Sequence, residues 1–274
     1  MEFTKLQATG NDFIMIDARR LEQDWATLAR AMCCRRFGIG SDGIILLLKS
    51  EVADFRMRMF NPDGSEAEVC GNGLRCFARY VMDRDLADTQ ELTIETIAGI
   101  RKVESSAHNR FQVDMGPPRL KAEEIPVSIK DIDIIPILNY PLQIEGRVFP
   151  LSFVSIGNPH AVYFTEKSVS EFPLLELGPV IEHHPIFPQR VNFEVAEVIS
   201  RGEIRARVWE RGAGETLSCG SGACAVAIAA RLNNLVDSPV DIILPGGMLS
   251  ITWDGQGEVW LSGKAEIVFQ GKWL

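Results

Sequence analysis

Two stretches of this chain spell out one pattern. Phe55 to Cys70 reads FRMRMFNPDGSEAEVC and Ile204 to Cys219 reads IRARVWERGAGETLSC, with the same spacing from leading apolar residue to cysteine. Each continues as Cys-Gly, then Asn or Ser, then Gly. Farther back, ATGNDFIMID (Ala8 to Asp17) resembles SIGNPHAVYF (Ser155 to Phe164), setting Gly10 against Gly157 and Asn11 against Asn158. Both pairs of motifs are separated by nearly the same length of chain, about half of the whole. A repeat of that period marks a duplicated domain, because solenoid repeats recur every 20 to 50 residues or so. A chain of 274 residues accommodates two domains of roughly 100 to 150 residues, each able to form its own core. Two like halves then carry two like cysteines.

Each cysteine stands where a helix should begin. Ile204 to Trp209 alternates apolar Ile204, Ala206 and Val208 with Arg205 and Arg207, a strand pattern that feeds a glycine-rich loop. From Gly222 the residues are small or apolar, with no charge until Arg231, so ACAVAIAA reads as a helix buried on every side. After Cys70, the residues Leu74, Phe77, Ala78, Val81 and Met82 form one apolar helical face. Cys70 and Cys219 therefore sit at helix N-termini, where unpaired N–H groups and the helix dipole favour a thiolate or a bound carboxylate.

The remaining elements are mostly strands. Phe3 to Gln7 and Phe13 to Asp17 flank a turn at Thr9 to Asp12, Ile44 to Leu48 is a continuous apolar run, and Leu92 to Ile97 and Phe111 to Met115 follow the first cysteine helix. Asp24 is a suitable N-cap for a helix whose inner face is Trp25, Leu28, Ala29, Met32 and Cys33. Six of the fourteen prolines fall between Gly116 and Pro150, which marks the boundary between halves at about residues 117 and 118. The second copy begins with the strand Leu151 to Ser155, and the chain ends in short strands joined at Gly263. The expected class is α+β, with two pseudo-symmetric domains, each a small barrel of mixed strands around one central helix. Cys33, Cys76 and Cys224 read as small apolar packing residues, and Cys34 has only its adjacency to Cys33.

Composition narrows the function. A hydrophobic content of 46% with 24% charged residues describes an ordinary globular protein. The net charge of −9 argues against nucleic acid, which needs a basic face. No apolar run has the length of a secretory signal or a membrane span, so a cytoplasmic location is expected and no membrane partner. Six cysteines are too few for a disulfide scaffold in a chain this long, and without a C-x-x-C no structural zinc is expected.

If the halves face each other across a pseudo-twofold axis, Cys70 and Cys219 converge from opposite sides. Acid/base groups on opposite faces of a carbon invert a stereocentre, one removing a proton while the other supplies one, and this needs neither metal nor redox cofactor. The helix termini would hold an α-carboxylate where charge develops. An ordinary thiol has a pKa of about 8.5 and a helix terminus contributes at most about 2 kcal/mol, so the thiolate needs further help. His160 and Glu210 are candidate proton relays; read blandly, they are a structural imidazole and a solvated strand end.

At this point the residues resemble a known family. NPDGSEAEVCGNGLR, Asn61 to Arg75, is similar to the signature of diaminopimelate epimerases, and ERGAGETLSCGSGAC, Glu210 to Cys224, to that family's second cysteine motif. TGNDF at Thr9, GNPH at Gly157 and VNFE at Val191 match its remaining short motifs in order. The resemblance implies a cofactor-independent epimerase interconverting LL- and meso-diaminopimelate in lysine and peptidoglycan synthesis, acting as a homodimer. It implies domains at 1–117 and 118–262, with 263–274 returning to the first. By the same carry-over Cys70 and Cys219 are the acid/base thiols, and Gly71, Asn72, Gly220 and Ser221 donate to the reacting carboxylate. Asn61, Asn192 and Arg211 hold the distal carboxylate, Glu210 serves the distal ammonium, and Asn11 and Asn158 line the pocket. Arginine suits such a clamp because its planar fork meets a carboxylate bidentately. One departure is Gly43, where some members carry a glutamine. The rival readings are a histidine- or proline-type racemase on the same fold, a thiol redox protein, and a non-catalytic amino-acid-binding protein.

Overall fold

The structure, a computed structural model, describes residues 1–67, 70–106, 108–129 and 134–274. Glu68 and Val69, inside the Asn61–Arg75 motif, lie outside the described residues. The chain forms two compact units, Met1–Asp114 with Ser262–Leu274, and Met115–Leu261. The division falls just before the Gly116-Pro117-Pro118 run.

The first unit contains β1 (Glu2–Ala8), β2 (Asn11–Asp17), α1 (Trp25–Cys33), β3 (Gly43–Leu48), β4 (Phe55–Phe60), β5 (Glu66–Ala67), α2 (Gly71–Asp83), β6 (Glu91–Thr96), β7 (Gly99–Ser106) and β8 (Arg110–Asp114). The second repeats the order. After β9 (Tyr140–Ile144) come β10 (Arg147–Ser155), β11 (Pro159–Phe164), α3 (Leu174–Glu182), β12 (Asn192–Ser200), β13 (Glu203–Glu210), β14 (Gly214–Thr216), α4 (Gly220–Leu232), β15 (Val240–Leu244) and β16 (Gly247–Thr252), and β17 (Trp260–Lys264) runs across the division into the first unit. The last strand, β18 (Glu266–Lys272), pairs antiparallel with β1. The class is α+β.

The ladders repeat as well. β1 and β2 pair antiparallel, β2 and β3 parallel, β3 and β4 antiparallel, and β4 and β6 parallel. β10 to β13 and β15 follow the same sequence of directions. Within its unit, α2 touches β1, β2, β3, β7, β8 and β18, while α4 touches β10, β11, β12, β13, β15 and β16. While α2 buries Asn72 and Arg75 among its apolar residues, α4 is apolar all round, with Gly222 through Ala230 all buried. Alanine and glycine keep it thin enough for strands to close on it.

α1 starts at Asp24, whose carboxylate accepts the Thr27 N–H at 3.1 Å, and it buries Trp25, Ala29, Met32 and Cys33. Its counterpart α3 escapes sequence reading because Pro179 lies inside it, removing an N–H that a regular helix would use. Burial of Leu174, Leu177 and Ile181 outweighs that loss. Each such aliphatic side chain contributes about 1.5 to 3 kcal/mol.

Candidate active site

Cys70 is the N-cap of α2 and Cys219 the N-cap of α4. Both have extended backbones, and each sulfur accepts the N–H of the glycine three residues on, Gly73 or Gly222, at 3.4 Å. Cysteine is not among the residues that cap helices best, so its use at both termini points to chemistry rather than stability. Gly71, Asn72, Gly220 and Ser221 form the first turns, as the sequence motifs require.

Around Cys70, Asn11 Oδ1 lies 3.9 Å from the sulfur and accepts Asn72 Nδ2 at 3.2 Å. The other end of the Asn11 amide donates to Asp42 at 2.6 Å. Asp42 shares Arg35 with Asp12, and Lys5 pairs with Asp12 at 2.7 Å. Burial would push Asp12 up, but hydrogen bonds from Arg35 and Lys5 hold it at about 2. This cluster fixes the turn that presents Asn11. Arg75, fully buried, donates to Asn72 Oδ1 at 2.8 Å and Thr9 Oγ1 at 2.7 Å. Thr9 has φ of 52°, rare for a β-branched residue, so the arginine braces a strained turn. Asn61 bonds within its own turn, to Ser65 Oγ at 3.0 Å. At Gly43 a Cβ would stand 2.8 Å from the Phe60 carbonyl oxygen, so a side chain there requires the backbone to shift.

Around Cys219 the partners are more polar. Ser221 Oγ lies 3.5 Å from the sulfur. His160 is fully buried; its Nδ1 is 2.7 Å from Glu194 Oε1 and its Nε2 2.9 Å from Asn158 Oδ1. On the neighbouring strand Asn192 donates to the Pro159 carbonyl at 2.8 Å and accepts the Arg211 N–H at 2.9 Å. The Arg211 guanidinium is exposed and makes one bond, to the Gln189 carbonyl at 3.0 Å. Glu210 accepts the Thr216 hydroxyl at 2.5 Å. Burial pushes the Cys219 thiol well above its ordinary range, and the Glu210 and Glu194 carboxylates add to this against the opposing bonds from Ser221 and Gly222. Burial likewise raises Glu194, opposed by His160.

Sequence reasoning missed three supporting residues. Glu194 lies in the VNFE motif but shows no periodicity that betrays a function. Glu182, on the unforeseen α3, accepts Trp209 Nε1 at 2.8 Å and the Gly212 N–H at 2.9 Å, which anchors the loop leading to Cys219. Gly178 permits that contact, since a Cβ there would stand 2.5 Å from the Trp209 ring. Asp42 follows the loop glycines and was legible only as loop composition. Cys33, Cys76 and Cys224 are buried, and Cys34 is exposed. Among the described residues no cluster of three or more His, Cys, Asp or Glu could hold a metal ion, and no helix is long and apolar enough to cross a membrane.

The fold is shared with a phenazine biosynthesis protein of the PhzF family from Bacillus anthracis, at a TM-score of 0.74 and 18% identity over 100% of this chain and 99% of that one. It is shared too with a probable proline racemase from Agrobacterium radiobacter, at 0.69 and 14% over 100% and 92%. Those identities establish architecture only. Sequence similarity goes further. A diaminopimelate epimerase from Carboxydothermus hydrogenoformans is 46% identical over 278 residues, covering 100% of both chains, and one from Moorella thermoacetica is 47% identical, covering 99% and 98%. The diaminopimelate epimerase pattern matches residues 3–121 and 152–268. With both cysteine motifs inside those spans, this chain belongs to the diaminopimelate epimerase family.

Proposed function

We propose that this isomerase interconverts LL- and meso-diaminopimelate by proton transfer between Cα and two cysteines, without a cofactor. The observation that carries the reading is the pair of N-capping thiols, Cys70 and Cys219, each at the head of a helix whose first-turn N–H groups suit a carboxylate. One sulfur, as thiolate, takes the Cα proton; the other, as thiol, gives its proton to the opposite face. Each turnover leaves the two protonation states exchanged. Resetting them requires a proton path, and His160 and Glu210 are the candidate relays. The helix-terminal donors stabilise the charge that develops on the α-carboxylate.

Asn61, Asn192 and Arg211 are proposed to hold the distal carboxylate, with Glu210 toward the distal ammonium and Asn11 and Asn158 lining the pocket. Most of the Arg211 fork stays available for a bidentate contact. The pathway role in lysine and peptidoglycan synthesis, a cytoplasmic location that keeps the thiols reduced, and a homodimer belong to the same proposal. For the homodimer, Val268 and Phe269 on β18 offer exposed apolar surface that a second copy could cover; a monomer in analytical sedimentation would remove that part.

Proton NMR of the reduced protein with LL-diaminopimelate in D2O tests the reaction. Deuterium should enter at Cα as the meso form appears. Absence of both under reducing conditions overturns the substrate assignment.

A further inference from the structure

The two units make the same ladder with different residues at the rungs behind their cysteines. In the first, Phe13 pairs with Gly43 and Met15 with Ile45. At the corresponding rungs of the second, His160 pairs with Asn192 and Val162 with Glu194. The glycines three residues after each cysteine mark the same place: a Cβ on Gly73 would stand 3.2 Å from Ile45 Cδ1, and one on Gly222 would stand 2.9 Å from Glu194 Oε1. The Gly222 position also lies 3.4 Å from Cys219 Sγ, so the carboxyl group reaches the first turn of α4. Phe13 and Ile45 are fully buried, and so are His160 and Glu194. The fold therefore accepts an apolar pair here. A buried carboxylate carries a desolvation cost, which packing alone does not require at this position.

Three titratable groups act on Glu194: His160 from β11, Glu210 from β13 and Cys219 from α4. Its Oε1 meets the imidazole, while Oε2 is buried with no hydrogen-bond partner among the described residues. We infer that Glu194 is a positioning residue of the reaction, holding the His160 ring with Nδ1 toward its carboxyl group and Nε2 toward Asn158 beside the Cys219 helix. The arrangement follows the logic of a base oriented by a third group. Glu194 Oε1 and Asn158 Oδ1 are both acceptors, so the ring is held by donating from Nδ1 and from Nε2, and it cannot turn without breaking both anchors. This rests on the two-thiol reading, in which His160 serves the resetting proton.

The test uses the full chain and two variants, Glu194→Gln and Glu194→Ile, the second copying the first unit. Turnover is followed with LL-diaminopimelate in D2O, and the protonation of the His160 ring by nitrogen-15 NMR without substrate, assigned by its loss in His160→Gln. Glu194→Gln should lower kcat about 10- to 100-fold, as removal of a hydrogen-bonded partner behind a functional imidazole does, with KM little changed and the Nδ1 proton signal altered. Glu194→Ile should lose at least as much turnover with a lower melting temperature, because the buried His160 Nδ1 is left without its partner. Unchanged kcat in either variant, or an unaltered His160 ring in Glu194→Gln, overturns the inference. So does failure of both variants to fold, which would make Glu194 a structural residue. Wild-type protein inactive on diaminopimelate would instead overturn the functional reading, while the ring measurement still decides whether Glu194 orients His160.

Discussion

Behind Cys70 the first unit packs Phe13 and Ile45; behind Cys219 the second packs His160 and Glu194 in the same rungs of the same ladder. The first unit places its charges instead on the turn, where Lys5, Asp12, Arg35 and Asp42 secure Asn11. Duplication thus preserved the helix termini and let the surroundings diverge. What the backbone needs is the capping residue and the glycine after it; what surrounds the sulfur is set separately in each half. The two thiols have different neighbours as a result.

Removing the thiols should produce the largest effects. Cys70→Ala and Cys219→Ala should each reduce kcat by at least about 10²-fold in the deuterium-exchange assay, and equal activity in either variant would dissolve the comparison. Serine in place of cysteine should be as inactive yet more stable than alanine by about 1 kcal/mol in urea unfolding, because it restores the capping hydrogen bond.

The paired glycines sharpen the contrast next. In Gly222→Ala the new methyl meets Glu194 Oε1 at 2.9 Å, and overpacking of that kind costs about 1 to 3 kcal/mol. In Gly73→Ala it meets the flexible end of Ile45 at 3.2 Å, and the gain in helix propensity of about 1 kcal/mol offsets the crowding. Equal unfolding free energies for the two would show that the environments are not different in kind.

The units should also answer pH with opposite sign. Asp12, held at about 2, contributes stability above its unfolded value that is lost as the pH falls through 4 toward 2. Asp12→Asn should therefore cost about 2 kcal/mol at neutral pH and little at pH 2. Glu194 is raised, so its protonated form is favoured in the folded chain and stability falls as pH climbs above the ordinary carboxylate value. Relative to Glu194→Gln, the wild type should lose up to about 1.4 kcal/mol for each pH unit over which the folded group keeps its proton. Hydrogen exchange followed unit by unit measures both slopes. The smallest expected effect is at exposed Cys34, where Cys34→Ser should change stability by less than about 0.5 kcal/mol and leave turnover intact.

Much of this was legible before any coordinates. Periodicity marks α2, whose apolar residues share one helical face, an unbroken run of small and apolar residues marks α4, and Asp24 announces α1 through its cap. The cysteines stand out because a repeated motif places each at a helix start. α3 was hidden by Pro179, and β9 and β7 carry too few alternating apolar residues to stand apart from their loops. Glu182 and Glu194 were illegible for a different reason. A lone glutamate in a strand or helix reads as solvated surface, and burial is a property of what packs over it.

The sequence by itself determined the duplication, the α+β class and the two capping thiols, since these depend on local spacing and on which residues tolerate burial. Only the tertiary structure decided which partners stand behind each sulfur. His160 and Glu194 are far apart in the chain and meet because parallel β11 and β12 bring them to rungs two residues apart, beside the first turn of α4. Local spacing carries no trace of that registry, because pairing between strands is settled by the closing of the whole sheet around its helix.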